Sequence, residues 1–151
     1  MRSPHPPVEA VLIGLQAAQV AFLLLHDWVP LGRLSNLAAV HAADSTPKLV
    51  RTTLFSTLPY AAGLGFSVAA FPDWPMALRI YLDVLYAVTV LAIARAWWIP
   101  YLSSSDSPRA ERYRSRFAGT LTFLPKRHGF APDVLHTAYH AVVVATLVLL
   151  L

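Results

Sequence analysis

The last twenty residues, Pro132 to Leu151, read PDVLHTAYHAVVVATLVLLL. From Ala141 onward the run is apolar except for Thr146, while its first turns hold Asp133, His136, Tyr139 and His140. A helix needs about 20 mostly apolar residues to cross a bilayer core, and this stretch is just long enough. Ionisable groups inside such a segment are costly, and by default they point to function. Asp133, His136 and His140 fall at i, i+3 and i+7, which puts them on one stripe of a helix. At 1.5 Å per residue, His136 lies roughly 4–5 Å and His140 roughly 10 Å further in than Asp133.

The whole chain agrees with a membrane reading. Of its 151 residues, 56% are hydrophobic and only 13% are charged. Soluble domains carry about 25% charged residues. There is no cysteine, so disulfides, thiolate metal sites and CxxC redox pairs are excluded. The net charge of +4 fits cytoplasmic loops and anionic lipid headgroups. No nucleic-acid motif, phosphate-cradling glycine loop or nucleophile elbow is present, and nucleic acid is not an expected partner.

Three more spans precede the last one. Residues 8–28 hold an apolar core broken only by Gln16 and Gln19. That run ends in His26, Asp27 and Trp28, with no small-x-small cleavage site, so it is expected to stay as a helix. Residues 48–71 follow a Ser45-Thr46-Pro47 start signal and contain Pro59, which is expected to kink the helix. Thr53, Ser56, Thr57, Tyr60, Gly63 and Ser67 form a small and polar stripe there, suited to helix packing. Ala10, Gly14 and Ala18 form a similar small row on the first span. Residues 76–102 contain Arg79, Asp83 and Arg95 and end in Trp97, Trp98 and Tyr101, which read as an interfacial aromatic belt.

Both long connections carry amphipathic patterns. Leu34, Leu37 and Val40 recur at helical spacing in the first. In the second, Ser107-Pro108 reads as a helix start, and Tyr113, Phe117 and Leu121 repeat beside Arg109, Arg112 and Arg116. With four spans these connections share a side. They and the adjoining helix start hold Arg33, Lys48, Arg51, Arg109, Arg112, Arg114, Arg116, Lys126 and Arg127, whereas the opposite side has Arg2 and Arg79. The positive-inside rule then puts the long loops in the cytoplasm of a plasma or inner membrane, and both termini outside. The fold expected is one all-α integral membrane domain, a four-transmembrane-helix bundle with amphipathic interfacial segments in its two cytoplasmic loops.

This orientation brings His26 and Asp27, Arg95 and Trp98, and Asp133, His136 and His140 to one depth. The leading expectation is a cytoplasm-facing polar and aromatic pocket for a lipid-like or small anionic ligand. Arg95 would hold charge and the histidines would handle a proton, since imidazole titrates near physiological pH. A second reading is a membrane enzyme with zinc, iron or haem on His136 and His140, which are one turn apart. A third is an accessory subunit of a membrane complex, in which Asp133 caps its helix and the histidines only fix packing. Arg79 and Asp83, at i and i+4, are expected to form a structural ion pair. A homo-oligomer or larger membrane complex is compatible with four short spans.

Overall fold

The computed structural model describes residues 8–103 and 108–151, with side chains for all of these but Pro108 and Arg109. The proline-rich start with Arg2, the Ser107 cap and the Arg109 side chain lie outside the described residues. Among the described residues the chain is helical, with no strand. The helices are α1 (Val8–Leu25), α2 (Leu37–Ala43), α3 (Thr46–Ala69), α4 (Met76–Ile93), α5 (Ile99–Leu102), α6 (Pro108–Arg116) and α7 (Val134–Leu150). α1 packs on α3 and α7, and α4 packs on the same two, so the four long helices form a square bundle.

Length and hydropathy single out two stretches able to cross a membrane, Val8–Leu25 and Met76–Leu102. α7 is apolar but only 17 residues long, and α3, at 24 residues, is diluted by its polar stripe. Pro59 sits inside α3 without ending it.

The bundle interior is an apolar core around Leu12, Leu82, Tyr86 and Val143 with polar groups set into it, and many large apolar side chains also face outward. Gln16, Gln19, Thr57, Ser67, His140 and Thr146 are all at most 4% exposed, whereas Phe55, Phe66, Met76, Leu91 and Val148 are all more than 60% exposed. In water such an exterior would be an unusually large apolar surface. Two inward amides of α1 tie the bundle together. Gln16 Nε2 donates to Ser67 Oγ of α3 at 3.1 Å, and Gln19 Nε2 donates to Thr146 Oγ1 of α7 at 2.8 Å. Where α1, α3 and α4 meet, a Cβ on Gly63 would stand 3.0 Å from Leu82 Cδ2 and 3.5 Å from Gln16 Oε1, so glycine is what lets them approach. The α3 stripe therefore packs inward as expected. The Ala10–Gly14–Ala18 row does not: Gly14 and Ala18 are exposed, with nothing within 4 Å of a Cβ on Gly14.

Between α4 and α5 the helix widens into a π-helical stretch, Ala94–Trp98. The cause lies in sequence. Pro100 has no N–H to give the Ala96 carbonyl four residues back, and its ring crowds that carbonyl. The Ile99 N–H instead reaches the Ala94 carbonyl, five residues back. The extra residue turns Trp97 and Trp98 toward the bundle. Of the expected aromatic belt, both tryptophans are half-buried, and Tyr101 is 4% exposed, its hydroxyl donating to the Pro125 carbonyl at 2.8 Å.

The two long connections fold over the same end of the bundle. The Leu121 N–H donates to the Arg33 carbonyl at 2.7 Å, Asn36 Nδ2 donates to the Ala118 carbonyl at 2.9 Å, and α2 packs on α6. Tyr101, Ala110, Phe130 and Ala131 form a small second core under these loops. α6 ends at Arg116, and its apolar edge faces inward rather than toward lipid, since Tyr113 stacks on Trp97 at 4.7 Å between ring centres. Only Leu121, beyond the helix, stays exposed.

Candidate functional site

The covered end of the bundle holds an open cleft of about 340 Å³, lined by residues of α1, α3, α4, α6 and α7 and the segments that follow α1 and α4. Three imidazoles line it: His26 from the turn after α1, and His136 and His140 from α7. Phe22, Trp97, Tyr113 and Tyr139 supply ring walls, Thr52, Thr53 and Ser56 supply hydroxyls, and Arg112 and Arg116 supply guanidiniums.

Asp133 is the N-cap of α7, and it holds His136 as well. Its Oδ1 accepts the His136 backbone N–H at 2.7 Å and the ring Nδ1–H at 2.9 Å. Asp133 is 2% exposed. Because a carboxylate only accepts, His136 carries its proton on Nδ1, and Nε2 is left as the basic atom. Trp97 stacks on the ring at 4.7 Å, while Phe117, Phe22 and His26 meet it edge-on at 5.3–5.5 Å. An imidazole oriented by a buried carboxylate and clamped by rings is held for proton transfer.

His26 is oriented by its own helix. Its Nδ1–H donates to the Phe22 carbonyl, the last-turn acceptor, at 3.0 Å, and its ring stacks on Phe22 at 4.5 Å. Its Nε2 then faces Asp27 Oδ2 at 3.3 Å. A proton between these two atoms would be shared by both. Burial holds the His26 imidazole below its usual range, and the Asp27 carboxylate pulls it back up less strongly. The other oxygen of Asp27 accepts from Arg116 at 2.5 Å, which ties α6 to the end of α1.

His140 sits one turn deeper. It is 4% exposed, has Trp97 and Trp98 edge-on at 5.3 and 6.0 Å, and its Nδ1 has no hydrogen-bond partner.

The structure thus gathers His26, Asp27, His136 and His140 at one cavity, with Asp133 behind His136. Three sequence expectations are corrected. Arg95 is exposed on the π-helical stretch and does not line the cavity; the cationic groups there are Arg112 and Arg116 of α6. Trp98 packs behind His140 and against Tyr101, and its neighbour Trp97 forms the wall. Arg79 pairs with Glu9 at 3.0 Å rather than with Asp83, whose Oδ1 is buried without a partner. Arg79 sits at the start of α4, opposite the first turn of α1, so an interhelix carboxylate outcompetes the one on its own helix. For a metal on His136 and His140, the donor set is not assembled. His136 Nδ1 is committed to Asp133, and among the described residues no three His, Cys, Asp or Glu side chains are gathered to hold a metal ion.

Sequence reasoning missed Phe22, Tyr139, Thr52 and the α6 residues Arg112, Tyr113 and Arg116 as lining, while Thr53 and Ser56 belong to the α3 stripe for which pocket lining is the alternative to packing. Phe22 and Tyr139 are one helical turn from His26 and His136 respectively, a spacing that could have flagged them. No protein-family model, curated protein or solved structure is similar to this chain.

Proposed function

We propose that the chain is a four-helix membrane-spanning protein whose covered end is a cytoplasm-facing pocket for a small amphiphilic anion, with proton exchange at the pocket histidines. The long loops lie in the cytoplasm against anionic headgroups, and the termini lie outside. The broad apolar outer faces of the four helices support the membrane arrangement, because they suit lipid better than water. Placing α3 and α7 across the bilayer accepts one polar and one short span; tilt and interhelix hydrogen bonds accommodate both.

One observation carries the ligand class: the cavity joins apolar ring walls to the guanidiniums of Arg112 and Arg116, of which Arg112 acts on Asp44 by charge alone. Its volume is in the range of small-molecule pockets. The anionic head meets Arg112, and the apolar body lies against Phe22, Trp97 and Tyr139. His136 Nε2, set by Asp133, accepts or returns a proton at the bound ligand.

The test is a titration of tryptophan fluorescence in purified protein with octanoate, and with inorganic phosphate as a head-only control. Octanoate is expected to quench saturably, more tightly than phosphate, with the signal lost in Trp97→Phe and binding weakened in Arg112→Gln. Native mass spectrometry should find a small anion carried through gentle purification. Absence of both binding and a co-purifying molecule would sink the pocket reading. Reporter fusions that place the loop holding Arg114 and Arg127 outside would overturn the orientation.

A further inference from the structure

We propose that the interior of the bundle holds a hydrated file of side chains that carries protons between Asp83 and the histidine pocket. The proposal rests on the membrane-spanning reading above. It starts from buried side-chain atoms that the protein leaves short of partners: Thr57 Oγ1, Asp83 Oδ1 and His140 Nδ1 have none among the described residues, and Gln19 Oε1 and Tyr86 OH have at most each other. Gln19, Thr57, Tyr86 and His140 are at most 4% exposed. Buried polar groups are nearly always bonded, to protein or to ordered water. Three such atoms in one small bundle mark places where interior water binds.

They are not scattered. Asp83 is one turn inward from Arg79 and its Glu9 partner, at the end of the bundle away from the pocket. Tyr86 follows on the same helix, beside the Gln19 amide of α1. Its ring meets that of Tyr60 edge-on at 5.8 Å. The Tyr60 hydroxyl donates to Thr89 at 2.5 Å and neighbours that of Tyr139. The Tyr139 ring is 6.0 Å from His140, which opens on the pocket. Asp83, Tyr86 and Thr89 follow one another at i, i+3 and i+6 on α4, each about 4–5 Å further along the helix axis, and water between their side chains would complete the path.

Every member is a carboxylate, hydroxyl, amide or imidazole. A hydroxyl and a water both accept one hydrogen bond and donate another. A proton entering at Asp83 is therefore passed by exchange. Each oxygen takes one proton and releases another, the proton arrives on a pocket histidine nitrogen, and the hydroxyls and waters then rotate back to their starting direction. No oxidant or second substrate is needed. Simple helix packing would be served as well by apolar residues at Tyr86 and Asp83, and it gives no reason for unpaired atoms to line up between the helices.

The experiment uses the full chain in phosphatidylcholine vesicles loaded with a pH-sensitive dye, with an inward proton drive set by a potassium gradient and valinomycin. Wild-type vesicles are expected to acidify faster than protein-free ones. The shape-conserving variants Tyr86→Phe and Asp83→Asn should lose that excess, and exposed Phe55→Leu should keep it. Wild-type vesicles no faster than protein-free ones would overturn the proposal, as would equal rates in wild type, Tyr86→Phe and Asp83→Asn. Octanoate titration of the same preparations separates the two readings. Binding without conduction removes the file alone, and conduction without binding removes the pocket alone. Radiolytic hydroxyl labelling of wild-type protein gives a second readout that needs no variant: oxidation of buried Tyr86 and Tyr60 is expected if water sits beside them, and their protection would count against the file.

Discussion

The two ends of the bundle are built from the same four helices and differ in what covers them. At one end, α3 and α4 are joined by the short turn Phe71–Pro75, and Trp74 closes it, 5% exposed, with its Nε1 donating to the Ser67 carbonyl at 2.9 Å. One exposed ion pair, Arg79–Glu9, links α4 to α1 there. At the other end, two long connections fold back over the helix tips with a small core of their own and bring α6 down onto α1. A short turn can only close a bundle. A long one returns side chains to its interior, and here those side chains are the arginines and rings that complete the pocket. The lesson is that the histidines of α7 become a site only because a loop some twenty residues before them folds over the same end.

Charge removal at the covered end should hurt most. Arg116→Ala leaves Asp27 buried without its cation, and a destabilisation of about 2–3 kcal/mol is expected, near the low end for broken buried pairs because the Arg116 side chain keeps 20% exposure. Unfolding of detergent-solubilised protein by added dodecyl sulfate measures it; a change near zero would mean that α6 is held by its rings alone.

Asp133→Ala should come next, at about 1–2 kcal/mol, the usual cost of losing an N-cap. Asp133→Asn keeps a capping oxygen but takes the carboxylate from His136. Its stability should stay closer to wild type while octanoate binding weakens, because the His136 ring loses the carboxylate that orients it. If Asp133→Asn binds octanoate as wild type does, the carboxylate has no role beyond the cap.

A smaller effect should follow acidification. Burial lowers the folded-state affinity of His26 for a proton, so the unfolded chain takes up that proton first, near its ordinary value of about 6.5. The contribution of neutral His26 is complete above that pH and is lost as pH falls from there toward the folded value. Melting temperature should drop between pH 7.5 and 5.5, and the His26→Gln variant should show a flatter profile. An unchanged slope in that variant would assign the acid sensitivity to other groups.

The smallest change belongs to the other end. Arg79→Ala breaks an exposed pair, and under about 1 kcal/mol is expected. A loss as large as that of Arg116→Ala would erase the contrast between the two ends.

Much of the arrangement is legible before any coordinates. The i, i+3, i+7 stripe of Asp133, His136 and His140 survives intact, because helical periodicity is local. So does the inward stripe of α3 from Thr57 to Ser67. What failed were statements about partners. Asp83 is one turn from Arg79 in sequence, yet Arg79 turned to Glu9, seventy residues earlier. Trp97 and Trp98 look like an interfacial belt until the missing N–H of Pro100 widens the helix and rotates them inward. Arg95 is the cation nearest the pocket by sequence, but the same stretch leaves it outside, and α6 supplies Arg112 and Arg116 instead.

Composition and periodicity alone therefore determined that the chain is helical, that at least two stretches are apolar and long enough to span a bilayer, and that α7 carries three ionisable groups on one face. These follow from the chain's own spacing and need no neighbour. The tertiary structure decided which imidazole nitrogen is free, which arginines reach the cavity and which buried atoms are left unpaired. Each of those depends on the distance between residues far apart in sequence, and only the packing of helices and loops sets that distance.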